Sequence, residues 1–281
     1  MNELLKRVIV GVIGIPVGLG VIYLGKFYFF AAIFIISLIG LWEFYKMAKA
    51  KGDSPMVFPG LIFLAIFITT LYYYLNSTEF LGLLGILSTT IYEILAAYIV
   101  FLVWNLFSSK KNAINNFSTT LSGLFYVYIS FGSLLFLRYA EIINVNERGL
   151  FIIAYFASIW ICDSAAYFIG RKWGQHKIAP KISPKKSWEG GIAGLIASVL
   201  SFVLISVMMN LHFPIVELIT YGLIIGVLGQ MGDFIESGFK RDAGVKDSSS
   251  LLSEHGGILD RFDSIMFTAP AILLVNIIFS M

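Results

Sequence analysis

Charge is scarce in this chain. Only 13% of its 281 residues are Asp, Glu, Lys or Arg, against roughly 25% in an ordinary soluble domain. With 58% hydrophobic residues, there is too little polar surface to cover a water-soluble core of this size. Cysteine is almost absent. The single Cys162 excludes an intramolecular disulfide and a Cys-rich metal cluster. The sequence has no low-complexity tract, no evident repeat and no segment that reads as a separate soluble domain. A removable signal peptide is also not indicated: Lys6 and Arg7 precede an apolar run, but that run continues to Leu24 without a small-residue cleavage site.

What is present is a series of apolar runs near the roughly 20 residues that a membrane-spanning helix needs. They divide as Val8–Leu24, Phe27–Leu41, Val57–Leu75, Leu84–Phe107, Phe117–Leu137, Gly149–Ile169, Gly190–Met209, Ile215–Ile235 and Ile265–Met281. The expected fold class is all-α, a polytopic integral membrane helical bundle of about nine transmembrane helices. Residues 1–148 are read as an N-terminal transmembrane region of about five spans. Residues 149–281 are read as a C-terminal catalytic region with loops at 171–189 and 236–263. Glycine and proline inside the runs do not argue against helices, because bundle packing tolerates them.

The basic residues orient the bundle. With nine spans and a cytoplasmic N-terminus, all but Lys26, Arg138 and Arg148 of the 20 Lys and Arg fall on the cytoplasmic side, as the positive-inside rule requires. The 101 residues from Asp163 to Asp263 hold half of the basic residues and 10 of the 17 acidic ones. A basic surface facing anionic headgroups would explain the lysines. It does not explain the interleaved carboxylates, which need cations or basic partners beside a negative leaflet.

The loop after Ile235 carries most of this chemistry. Asp260 and Asp263, three apart at the mouth of the last helix, can grip a hard cation through oxygen ligands; the plainer alternative is acids that favour the helix dipole. Asp233 and Glu236 form a second acidic pair, which tips the balance towards a metal. Gly256-Gly257 would let a backbone approach a phosphate, although such pairs are more often simple turns. His255 is a ligand, a phosphate donor or a turn residue. Lys240, Arg241, Lys246 and Arg261 offer cations for several phosphates. The earlier run Ser183-Pro184-Lys185-Lys186-Ser187-Trp188-Glu189-Gly190-Gly191 reads as a second phosphate-holding element, or as an interfacial anchor through Trp188. Asp163 lies inside its span, so it should face a polar cavity or a partner. Glu93 has no comparable surroundings in sequence.

The segment Ser237–Asp263 resembles the signature of the phosphatidate cytidylyltransferases, or CDP-diacylglycerol synthases. It has the Ser, the Lys240-Arg241 pair, Lys246-Asp247, His255-Gly256-Gly257, Asp260-Arg261 and Asp263 in register without a gap. One position departs: Ser253 stands where Pro or Gly is expected. Ser183–Gly190 and Asp163-Ser164 are similar to family features as well. The resemblance implies transfer of CMP from CTP to phosphatidic acid, yielding CDP-diacylglycerol and pyrophosphate with Mg2+ and room for a second cation. It implies Asp233, Asp260 and Asp263 as metal ligands. Lys240, Arg241, Lys246, Asp247, His255 and Arg261 would act at the reacting phosphates, and Ser183, Lys185, Lys186, Ser237, Gly256 and Gly257 would bind substrate. The expected partners are CTP, phosphatidic acid and the bilayer, with a homodimer as an option and no nucleic acid. The expected location is the inner (cytoplasmic) membrane, with the N-terminus and active site on the cytoplasmic side. A CTP-dependent lipid-alcohol kinase and, from another class, a cation-coupled transporter are the alternatives.

Overall fold

In lipid a chain must satisfy its own backbone hydrogen bonds, so runs of this length and apolarity fold as helices. The computed structural model describes residues 14, 16–76, 82–108, 111–139, 147–180, 182–249, 251 and 256–280. The described part of α1 covers residues 16–24. It is followed by α2 (Lys26–Lys51), α3 (Val57–Asn76), α4 (Gly82–Phe107), α5 (Ala113–Tyr139) and α6 (Arg148–Trp173). A short antiparallel hairpin, β1 (Lys177–Ala179) and β2 (Ser183–Ser187), leads into α7 (Trp188–Met208). Then come α8 (Ile215–Ile224), a π-helical turn over Ile225–Gly229, α9 (Gln230–Asp242) and α10 (Leu259–Ser280).

The chain is an all-α polytopic membrane bundle. Among the described residues, 8 helices are long and apolar enough to cross a membrane, with α8, the π turn and α9 acting as one continuous span. These match the expected spans from the second to the ninth. The first, Val8–Leu24, lies largely outside the described residues. Burial is inverted relative to a soluble protein. Ile91, Leu95, Ile99 and Val103 of α4 point outward, while Tyr45, Phe67, Phe131, Tyr155 and Tyr221 are fully buried.

Several helices run past the ends read from hydropathy. The second span continues from Leu41 to Lys51, the sixth from Ile169 to Trp173, and the eighth from Ile235 to Asp242. The reason is electrostatic. The last turns carry Lys49 and Lys51, Arg171 and Lys172, and Lys240 and Arg241, and cations stabilise the negative end of a helix dipole. Charge ends the apolar run there without ending the helix. The first part of the expected loop 236–263 is thus helical, and part of the expected loop 171–189 is the β1–β2 hairpin.

Small residues draw the second half of the bundle together. A Cβ at Gly190 would sit 2.6 Å from the Ala166 carbonyl of α6, and one at Gly226 would sit 2.4 Å from Ser198 Oγ of α7. Such close approach is how membrane helices gain packing without a hydrophobic drive. Ser198 Oγ donates to the Gly222 carbonyl at 2.9 Å. The side-chain amide of Gln230 donates to the carbonyls of Gly191 at 3.0 Å and Gly226 at 2.6 Å, tying the π turn to the start of α7. In the other half, Ser130 of α5 donates to the Met266 carbonyl of α10 at 2.8 Å. The outcome is that Asp163 of α6, Asp233 of α9 and Asp263 of α10 come within electrostatic reach of one another.

Candidate active site

Four elements contribute one ionisable side chain each to a cleft at this end of the bundle. Asp163 comes from α6, Lys186 from β2, Asp233 from α9 and Asp263 from α10, all within electrostatic reach of one another. Lys186 Nζ pairs with Asp233 and stands 4.5 Å from the centre of the Phe234 ring. Asp163 is exposed within its span, as an intramembrane carboxylate facing a polar cleft should be. One lysine does not balance three carboxylates. The cleft therefore favours a further cation.

Beside it lies a drier cluster. Lys240 bridges Glu236, one turn before it on α9, and Asp260 Oδ1 of α10 at 2.6 Å. The three side chains are only 11%, 1% and 9% exposed, so removing either charge would strand its partners away from water. Asp260 Oδ2 is occupied as well. It accepts from Gly257 N at 2.7 Å, Ser248 N at 2.9 Å and Ser248 Oγ at 2.9 Å. The spacing of Asp260 and Asp263 suggests a common ligand, but their partners differ. Asp260 organises the α9–α10 loop, and Asp263 faces the cleft.

The same loop is gripped from the far end of the sequence by Glu43 of α2, which is fully buried. Its carboxylate accepts from Ser249 Oγ at 2.5 Å, Ile258 N at 3.0 Å and Leu259 N at 2.9 Å. It also lies 3.0 Å from Ser248 Oγ, whose single proton serves Glu43 or Asp260 at any moment. The first amides of α10, which lack partners within their own helix, are thereby satisfied by a side chain more than 200 residues away.

Gly256 and Gly257 meet the steric demands of this loop. Gly256 adopts a positive φ of 75°, which an L side chain rarely tolerates. A Cβ at Gly257 would meet Ser248 Oγ at 2.0 Å and both Glu43 oxygens at 2.5 Å. The amides of Gly257, Ile258 and Leu259 are accepted by protein carboxylates rather than presented to a phosphate. Gly257→Ala is accordingly expected to lower stability by about 1–3 kcal/mol through overpacking. Thermal unfolding in detergent should show it, with CTP-dependent turnover falling in parallel.

The remaining predicted residues are spread over several places. Lys186 and Ser237 are in the cleft, and Ser237 Oγ donates to Asp233 Oδ1 at 3.2 Å. Ser183 opens β2, and Lys185 is exposed on the same strand. Arg241, Lys246, Asp247 and Arg261 are exposed, with Arg241 donating to the Val245 carbonyl at 3.1 Å. His255 lies outside the described residues.

The model of the cytidylyltransferase family matches residues 5–279. The chain belongs to the cytidylyltransferase family. It is 31% identical over 281 residues to a phosphatidate cytidylyltransferase of Bacillus subtilis, covering 100% of both chains. It is 34% identical to one of Synechocystis, covering 95% of this chain and 94% of the relative. It is likewise 34% identical to one of Staphylococcus epidermidis, covering 97% of each. The match spans the N-terminal helices as well as the signature, which accords with Glu43 holding the signature loop in place.

Sequence reading missed Glu43 and the Ser248–Ser249 pair, and it left the partners of Asp163 unassigned. The available signal for Glu43 was an acid set between Trp42 and Phe44. That placement is costly in a membrane helix unless something accepts the charge.

Proposed function

We infer that this chain is a phosphatidate cytidylyltransferase, which transfers CMP from CTP to phosphatidate and releases CDP-diacylglycerol and pyrophosphate. The observation that carries the reading is similarity over the full length to relatives so named, in a protein whose carboxylates and lysines gather at one end of a membrane bundle. In the reaction an oxygen of the lipid phosphate attacks the α-phosphorus of CTP. The bond from that phosphorus to the bridging oxygen breaks, and pyrophosphate departs with the electron pair. A phosphate monoester with a second pKa near 6 is largely dianionic at neutral pH, so no general base is needed to create the nucleophile. The obstacle is repulsion between two polyanions, which positioned cations relieve.

Mg2+ fits the cleft by donor chemistry. Among the described residues no three acidic, histidine or cysteine side chains converge closely enough to enclose an ion alone. Mg2+ does not require that. It is usually held by one or two carboxylates together with substrate phosphates, and Asp233 and Asp263 with Asp163 nearby supply such oxygens. When bound, the ion would supply charge neutralisation at the phosphates. A second cation would draw on the same three carboxylates. Lys186 would orient Asp233 and meet phosphate from the other side. Asp260, with Lys240, would hold the loop that sets the angle of Asp263. Arg241, Lys246, Arg261 and Lys185 would draw both anions to the mouth, with Asp247 and His255 on the same loop. The reading holds equally for a monomer or a homodimer.

The alternatives fare worse. A lipid-alcohol kinase must activate a neutral hydroxyl, and the relatives that match this chain along its length are named for cytidylyl transfer instead. A transporter would not account for the family. Purified protein in mixed micelles with Mg2+, CTP and phosphatidic acid should yield CDP-diacylglycerol and pyrophosphate in equal amounts. Release of CDP with phosphorylation of added diacylglycerol would overturn the assignment.

The same reading places the N-terminus, the hairpin and the cleft on the cytoplasmic side of the inner membrane, supported by the distribution of Lys and Arg. In sealed, oriented vesicles, Lys185→Cys should react with an impermeant thiol reagent from the cytoplasmic side only. Asn210→Cys, between α7 and α8, should react from the opposite side only. The native Cys162 is buried and should add little background. Labelling of both sites from one side would refute the topology.

A further inference from the structure

A groove of about 520 Å³ runs between the outer faces of α2 and α3. It is lined by Leu38 and Trp42 of α2, Phe58, Leu61 and Ile62 of α3, and Leu251 of the α9–α10 loop, among others. Among the described residues none of its walls comes from α6, β2, α9 or α10, so it is separate from the carboxylate cleft. Trp42, Phe58, Ile62 and Leu251 are exposed, and the groove opens to the bilayer. Its rim is charged. Lys46 Nζ stands 5.2 Å from the centre of the Trp42 ring, a cation–π contact, and neither Lys46 nor Lys49 forms an ion pair among the described residues. From Leu38 to Lys46 the helix climbs about 12 Å, at roughly 1.5 Å per residue. One leaflet of a hydrocarbon core about 30 Å thick is about 15 Å deep. The groove and its rim thus match a single acyl chain lying below its own headgroup.

We propose that this groove holds an acyl chain of an anionic bilayer phospholipid, distinct from the reacting lipid, with its headgroup phosphate at Lys46. Apolar surface facing lipid is ordinary in a membrane protein. A free lysine at the rim and a residue of the signature loop in the wall are not. A lysine just outside the hydrocarbon favours an anionic headgroup over a zwitterionic one. The bound lipid also bears on the reaction, because Leu251 is linked to the site. Leu251 N donates to Ser249 Oγ at 3.2 Å, and Ser249 Oγ donates to Glu43 at 2.5 Å. Glu43 in turn accepts from Ile258 N and Leu259 N at the start of α10, the helix that carries Asp263. A chain packed on Trp42 and Leu251 therefore braces the loop from the bilayer side, while Glu43, next to Trp42, holds it from within. A ligand that binds the ordered loop better than the detached one stabilises it, so occupancy should raise the rate. That consequence rests on the cytidylyltransferase reading; the binding itself does not.

The test places the full-length protein in nanodiscs of phosphatidylcholine with increasing phosphatidylglycerol, one or the other lipid carrying brominated chains that quench tryptophan. Brominated phosphatidylglycerol should quench the emission saturably at fractions where brominated phosphatidylcholine quenches little, and the difference should vanish in Trp42→Phe. Lys46→Gln should need about fivefold more phosphatidylglycerol for half-quenching, as expected for the loss of one lysine near an anionic lipid. With CTP and a fixed, low fraction of phosphatidic acid, CDP-diacylglycerol formation should rise over the same range of phosphatidylglycerol. Ala65→Phe, which fills the groove, should abolish that rise. The variants are checked by thermal unfolding, and the wild-type comparison of the two brominated lipids decides the matter where a variant fails to fold. Equal quenching by the two lipids, or a midpoint in folded Lys46→Gln within twofold of wild type, would overturn the site. A rate indifferent to phosphatidylglycerol would overturn the link through Leu251. A wild type that binds phosphatidylglycerol but makes no CDP-diacylglycerol would instead refute the reaction reading and leave the lipid site standing.

Discussion

Replacing Asp263 by Asn is expected to lower turnover by about two orders of magnitude or more, with the fold retained. The loss of one electrostatic contact made in a transition state costs roughly 3–4 kcal/mol, and each 1.36 kcal/mol is about tenfold in rate. Among the described residues the one hydrogen bond to its side chain is from Ser264 N to Oδ1 at 2.6 Å, which an Asn carbonyl can accept equally well. Removing charge there would deprive the cleft of its proposed cation ligand while disturbing little else. Were Asp263 merely a helix-dipole partner, the cost would be about 0.3–1 kcal/mol of stability with turnover near normal. Asp260→Asn should behave differently. Because Asp260 holds Lys240 and three loop donors, its loss should reduce turnover and thermal stability together.

Glu43→Ala is expected to have the largest structural effect of any single change. It leaves the amides of Ile258 and Leu259 at the start of α10 and the Ser249 hydroxyl without their acceptor in a dry site, and Ser248 with one acceptor fewer. Each unsatisfied buried group costs about 1–3 kcal/mol. Even with partial rescue by water, the loop should detach from α2, and the protein should unfold at a markedly lower temperature with little residual turnover. Glu43→Gln, which keeps one good acceptor, should be milder on both readouts. A Glu43→Ala protein with unchanged unfolding temperature and rate would show that α2 does not hold the loop.

These two expectations mark where the sequence is legible and where it is not. Apolar runs located eight spans because the demand for internal backbone hydrogen bonding in lipid leaves little else for them to be. Helix ends were harder. Residues 42–51 and 236–242 look like loop because they carry charge, yet they are last turns stabilised by that charge. Three separate stretches of sequence pointed to Lys186, Asp233 and Asp263, and these side chains do converge. The signature segment did not separate Asp260 from Asp263, because spacing on a helix shows a shared face and not which partner has already claimed each side chain. Glu43 was hidden for a related reason. Its partners are over 200 residues away, and no local pattern encodes a contact at that range. Likewise, Gly256-Gly257 looks the same in sequence whether a phosphate or a neighbouring carboxylate fills the space. Only packing distinguishes them.

The most direct measurement of the central claim is the initial rate of CDP-diacylglycerol formation across a Mg2+ titration, in wild type and in Asp263→Asn, with thermal unfolding measured in parallel. The account predicts that the wild-type rate rises with Mg2+ and saturates. The variant, equally folded, should remain about a hundredfold or more slower at ordinary Mg2+. A fully active Asp263→Asn with the same Mg2+ dependence as wild type would contradict the placement of the reacting phosphates and their cation in this cleft.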